Sequence, residues 1–138
     1  MWEIYAFLSA LFAALTAILA KVGMKGVDSN LATAIRTIVI VVLAWAIVFM
    51  SGKHNDIASL TKKNWLFLSL SGIATGLSWI FYYKAISQGK VSQVSLIDKS
   101  SIVLTLLLSF FILGEQFDLK TVIASVLIVS GIFIMIWK

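Results

Sequence analysis

The sequence contains no cysteine, a single histidine and few charges, with 11 Lys and Arg against 6 Asp and Glu in 138 residues. Without cysteine there is no disulfide framework, no thiol nucleophile and no thiolate metal site. His54 has no second imidazole with which to share a metal or build a triad, and no acid–base constellation stands out elsewhere. No metal, no cofactor and no enzymatic activity are therefore expected. The charge deficit excludes more. A soluble domain carries about 25% charged residues. This chain has 12%, with 61% apolar residues and a mean hydropathy of +1.05. That composition cannot cover a water-soluble globule.

What is present instead is apolar length. Charge-free runs cover Ile4–Ala20, Thr37–Met50, Trp65–Tyr83, Ser100–Gly114 and Thr121–Trp137. A spanning helix needs roughly 17–25 predominantly apolar residues, whereas barrel strands are about 10 residues with strict alternation. The pattern predicts an all-α membrane protein with five transmembrane helices, about 3–22, 30–50, 65–88, 91–113 and 119–137, in one domain over 1–138. The second and fourth runs are too short as they stand. They reach spanning length only by extending toward their N-termini. That extension takes Arg36 into the second helix and Asp98–Lys99 into the fourth.

Local signals agree with these boundaries. Asp28, Ser29 and Asn30 supply N-cap chemistry for the second helix, and Thr61 to Asn64 lead into the third. Gly89 and Gly114 read as C-terminal stops. Ser51–Asn64 is the one long polar connection and is expected to be the most mobile internal segment. The other loops are short, so successive helices are expected to be antiparallel neighbours. Ile4–Ala20 follows Glu3 with no Lys or Arg ahead of it, unlike a signal peptide.

Spacing then places charges in one layer. With the N-terminal side called A and the other B, Lys21 ends the first helix at side B. Arg36 falls about 9 Å inside the start of the second helix, and Asp98 and Lys99 about 10–12 Å inside the fourth. Lys84 is near the side-B end of the third. A charge at mid-helix costs on the order of 2.5–3.5 kcal/mol on insertion scales, so lining a wet cavity is its default role. Arg36, Lys84 and Lys99 are thus candidates to hold a carboxylate. Asp98 is the candidate for a proton or an amino group. Trp79, a turn deeper than Tyr82 and Tyr83, is expected to line the cavity. Lys21 and, as its alternative role, Lys84 read as snorkelling to the headgroups, and Tyr82 and Tyr83 as interfacial anchors.

Orientation normally follows a Lys/Arg excess on cytoplasmic loops. Side A carries Lys53, Lys62, Lys63 and Lys120; side B carries Lys25, Lys90 and Lys138, with Lys21 and Lys84 at the boundary. Neither side prevails. A chain without bias is expected to insert both ways up and to pair with an inverted copy, as half of an inverted-repeat transporter. Small residues on the third helix (Ser69, Gly72, Gly76) and on the fifth (Ala124, Ser125, Ser130, Gly131) would allow close helix contacts, within or between chains.

Leu113-Gly114-Glu115 followed by Leu127-Ile128-Val129-Ser130-Gly131 resembles the end of an EamA-type domain of the drug/metabolite transporter superfamily. Tyr82 to Ile86, Gly89 to Ser92 and Asp98 to Ser100 resemble that family's third-to-fourth helix junction. The resemblance covers essentially the whole chain. Ten-helix members are two such units fused in inverted orientation, so the resemblance implies an unfused, dimeric form. The last helix is also similar to the dimerising helix of small multidrug resistance proteins, with Ala124 and Gly131 at its two glycine positions. Those proteins carry a membrane-buried glutamate where this chain has Ala13, which weighs against proton-coupled export of cationic drugs.

The expected function is secondary transport, in the export direction, of small polar anionic or zwitterionic metabolites such as amino acids. It would proceed by alternating access in an antiparallel homodimer meeting at Ala124 and Gly131. The plasma membrane of a bacterium or archaeon is the expected location. The expected partners are the bilayer, a second copy, the substrate and a coupling proton, with no nucleic acid. The alternatives are a flippase for an anionic lipid-linked intermediate, a non-transporting partner subunit, and a multidrug exporter.

Overall fold

The computed structural model describes residues 1–137 and is helical throughout, with no strand among the described residues. Lys138, counted above on side B, lies outside them. Helix α1 covers Trp2–Gly23, α2 Ser29–Met50 and α3 Lys62–Gln88. These belong to a first compact unit, Met1–Gln88. The second unit, from Gly89 onward, holds α4 (Val91–Asp98), α5 (Ser101–Leu108), a π-helical turn (Ser109–Leu113) and α6 (Leu119–Ile136). Each unit is described by itself.

In the first unit the helix starts follow the polar residues that precede them. The Asp28 carboxylate accepts the backbone N–H groups of Asn30 and Leu31 at 2.9 and 3.1 Å, answering two of the donors a helix start leaves open. The second helix therefore does extend back to Ser29 and takes Arg36 with it. Thr61 accepts the Asn64 N–H at 3.2 Å, and α3 starts at Lys62, ahead of the expected 65. The left-handed glycines that close α1 and α2 are Gly26 and Gly52, at φ +75° and +69°. Between α2 and α3 the connection carries a 3-10 helix, Lys53–Ser59. A Lys53–Asp56 ion pair at 3.5 Å and the His54 ring 5.3 Å from that of Phe49 hold it. The segment is thus more structured than its polarity suggests.

The packing order corrects one expectation. Helix α3 packs against both α1 and α2, while α1 and α2, though consecutive, scarcely touch each other. The end of α1 meets the end of α3, so these two run parallel; the start of α2 meets the end of α3, so that pair is antiparallel. The buried side chains of this unit gather there: Ala17 and Met24 from α1 and its exit, Thr33 from α2, Tyr83 and Ile86 from α3.

In the second unit the expected continuous helix 91–113 is interrupted. Around Lys99 and Ser100 the backbone bonds tighten to a three-residue spacing, Ser100 N–H to Ile97, Ile102 to Lys99 and Val103 to Ser100, at 2.9–3.1 Å. No residue there leaves the right-handed region, and no glycine or proline marks the place, so the break has no local sequence signal. Gly114 does act as the expected stop. At φ +69° it turns the chain so that the Glu115 N–H reaches the Ser109 carbonyl at 3.3 Å. Helix α6 starts on Asp118, whose carboxylate accepts the Thr121 hydroxyl and N–H. Those two bonds hold the Asp118 carboxyl below its usual range. The cap therefore persists through neutral pH and is lost only as pH falls below the ordinary carboxylate range.

Five apolar residues are buried among the described ones (Ala17, Met24, Tyr83, Ile86 and Ile132), and most of the large aliphatic and aromatic side chains elsewhere stand exposed. No water-soluble chain tolerates that, but lipid is as apolar as leucine. Helices α1, α2, α3 and the interrupted segment Val91–Leu113 are each long and apolar enough to cross a bilayer; α6 is a shorter apolar helix. The protein is a membrane protein.

Glycine positions give a direct check of these turns. Replacing Gly114 by Ala should cost about 1–2 kcal/mol, the left-handed penalty for an L-residue. Gly72→Ala, at a helical site with no heavy atom within 4 Å in its own unit, should be neutral or stabilising by up to about 1 kcal/mol. Reversible unfolding in mixed micelles measures both, and equal losses at the two sites would contradict the turn assignment.

Candidate functional site

Arg36 lies in the first unit about 10 Å along α2 from its start. Its guanidinium carbon sits 4.3 Å from the centre of the Trp79 ring and 4.8 Å from that of Tyr83. Trp79 and Tyr83 are four residues apart on α3, so both rings face the same way. A desolvated cation over aromatic faces gains about 2 kcal/mol. That offsets part of the cost of burying the charge and fixes where the side chain stands. The rings supply no conventional acceptor, however. Nη1 is buried with no hydrogen-bond partner among the described residues, and no carboxylate of the first unit pairs with the guanidinium.

The guanidinium borders a cavity of about 580 Å³ between α1 and α2. Leu19, Ala20, Gly23 and Met24 form one wall, Ile35, Val39 and Ile40 the other, and Tyr83 of α3 lies behind. Arg36 is the charged residue of this lining; Thr16 and the Tyr83 ring add the polar side chains. The cavity exists because α3 holds α1 and α2 apart at this end.

The expected charge layer separates into different jobs. Lys21 does not snorkel. Its ammonium reaches the Ile86 and Ser87 carbonyls at 2.5 and 3.5 Å, capping the last turn of α3, where a cation is favoured. Tyr83 is not an interfacial anchor either. At 2% exposure it is enclosed by α1 and α2, and its four-residue spacing from Trp79 was the signal that could have revealed this. Trp79 backs the guanidinium but is not part of the lining, and Lys84, one residue past Tyr83, is exposed and outside it.

In the second unit Asp98 and Lys99 occupy the helix interruption, with the ammonium 3.7 Å from the carboxylate. Such an exposed adjacent pair is weak. Helix α6 turns Ser125, Val129 and Ile132 toward its own unit and leaves Ala124, Leu127, Ile128 and Gly131 outward. No heavy atom of the unit lies within 4 Å of a Cβ placed on Gly131.

The EamA-like transporter family model matches residues 1–137. The chain belongs to this family. A curated relative, described as an uncharacterized transporter in the cobO 3' region of Sinorhizobium sp, is 40% identical over 134 residues, covering 97% of this chain and 95% of its own length. No solved structure matches. The family match takes in both compact units, so the EamA-like segment includes the Arg36 cleft and the interrupted helix together. This is a membrane transporter.

The Lys21 contact can be checked without any substrate. Lys21→Met should leave the last turn of α3 with uncapped carbonyls and raise amide exchange at Ile86–Gln88 about tenfold, as loss of one charge-assisted bond implies. Unchanged exchange there would mean that the ammonium contributes nothing to closing this end of the unit.

Proposed function

We propose that the protein is a secondary transporter of small organic anions or zwitterions, acting in the export direction by alternating access. The supporting observation is the Arg36 guanidinium, held by two rings at the edge of an apolar cleft with Nη1 unpartnered. A part-buried cation with one enclosed, unpartnered donor and no counter-charge is costly, and an anionic substrate relieves that cost. Lys84 in the first unit and Lys99 in the second are auxiliary cations for the substrate. Asp98, at the helix interruption, is the group that carries a coupled proton or meets a substrate amino group. Broken helices with ionisable residues at the break are a recurring device for ion coupling.

In this reading residues 1–138 act as one five-helix domain, with α6 as the fifth span. Its 18 residues rise about 27 Å, close to a hydrocarbon core of about 30 Å. The working unit is an antiparallel homodimer in the plasma membrane of a bacterium or archaeon, joined along Ala124 and Gly131. The near-equal lysine count favours both orientations, and the outward face of α6 leaves these small residues accessible. A second reading, a flippase for an anionic lipid, is favoured by the poor contact between α1 and α2, which leaves their cleft without a close helix–helix seal.

Proteoliposome transport of radiolabelled organic and amino acids tests the assignment. Arg36→Ala should lower the rate at least tenfold, while Lys84→Met lowers it less. Asp98→Asn should remove the dependence on a proton gradient while leaving insertion intact. Full activity in Arg36→Ala would overturn the role of the cleft. For the dimer, single cysteines introduced near the C-terminus of this Cys-free chain should be labelled from both membrane faces in comparable amounts. One-sided labelling of a fully active protein would exclude the antiparallel homodimer.

A further inference from the structure

The cleft's chemistry restricts the substrate more tightly than its family does. Arg36 is the one cation of the lining among the described residues. Lys21 is committed to the α3 carbonyls, and Lys84 lies exposed outside the lining. The site can therefore neutralise a single negative charge. A second carboxylate set against Leu19, Met24 or Val39 would lose its water and gain no partner. An α-ammonium fares no better, because no Asp or Glu among the described residues lines the cavity.

We infer that the cleft binds monocarboxylic acids with a branched or aromatic apolar body and no amino group, the carboxylate on the Arg36 fork and the body between α1 and α2. This rests on the transport reading above and narrows it. The planar guanidinium suits a carboxylate held by two parallel hydrogen bonds, and Nη1 is a donor without a partner. A volume of about 580 Å³ falls within the range of small-molecule sites. The aliphatic walls match an apolar body, whose removal from water favours binding. The occupant is a soluble acid and not a resident lipid. Arg36 stands about 10 Å along α2, below the level of the helix ends where lipid headgroups sit.

Calorimetric titration of the purified protein in dodecyl maltoside, with 4-methylpentanoate, leucine and glutarate as probes, tests this. 4-Methylpentanoate should bind at least tenfold more tightly than leucine or glutarate. Arg36→Ala should weaken it about ten- to hundredfold, the effect of one charge-assisted contact, and Arg36→Lys should recover part of that. Val39→Phe, which narrows the cleft and leaves the charge alone, should weaken 4-methylpentanoate but spare acetate. It also keeps the test open if an Arg36 variant does not fold. Equal or tighter binding of leucine or glutarate, still dependent on Arg36, overturns this inference and leaves the transport reading standing. Displacement of 4-methylpentanoate by short-chain phosphatidylglycerol at equal concentration overturns it in favour of a lipid. Binding of no acid, or binding indifferent to Arg36, overturns both.

Discussion

One part-buried cation organises the first unit. Arg36 is carried into α2 because a helix starting at Thr37 would be too short to span a bilayer, and the helix start is fixed upstream by the Asp28 cap. Once there, the guanidinium must find something other than water. Trp79 and Tyr83 provide it, one turn apart on α3. Tyr83 can serve only if α3 lies between α1 and α2, and that same placement keeps α1 and α2 from closing on each other. The cation, the aromatic shelf and the cleft are thus three consequences of one constraint. Aromatic faces stabilise a positive charge without consuming its hydrogen-bond donors. A carboxylate partner in their place would have left a neutral, satisfied pair with little to offer an anion.

The sequence carried the helices well and their tertiary roles poorly. Apolar run lengths, with Asp28 and Thr61 at the starts and Gly114 at a stop, located the helices closely, since those signals act over one turn. Arg36 was legible for the same reason: a run too short to span must extend until it meets a cap. Lys21 and Tyr83 were not legible. A lysine or tyrosine at a helix end looks the same whether it faces headgroups or a neighbouring helix, and only the approach of α1 and α2 to the end of α3 decides. The interruption at Lys99–Ser100 was also hidden, because both residues keep right-handed dihedrals and no glycine or proline announces a change of hydrogen-bond spacing.

The two compact units divide the chemistry in a way the layer of charges did not suggest. The first unit holds a cation fixed by packing at an apolar cavity. The second holds an acid–base pair at a place where the helical ladder is irregular and the groups remain part-exposed. Rigid binding and mobile charge make opposite demands. A binding fork gains affinity from being preorganised, whereas a group that takes up and releases a proton must change environment as the protein moves. A 3-10 stretch in a longer helix is a common hinge. In the proposed mechanism, Asp98 on such a stretch changes its surroundings as the protein moves.

In the proposed mechanism, the short last helix bears on how the transporter alternates between two sides. As the fifth span of the proposed transporter, a helix as short as α6 would match the hydrocarbon thickness only when upright, with little freedom to tilt. Its inward face is occupied by its own unit through Ser125, Val129 and Ile132, while Ala124, Leu127, Ile128 and Gly131 face out. Small residues toward lipid bring no gain there, since a leucine would be equally welcome to the acyl chains. Against another helix they permit close backbone approach, which is where helix association in lipid draws its energy. An inverted copy met along this face would bring a second Arg36 cleft of opposite orientation. Each cleft would then meet the bilayer from its own side, and exchange between outward and inward states would need no new site, only an exchange of roles between two identical ones.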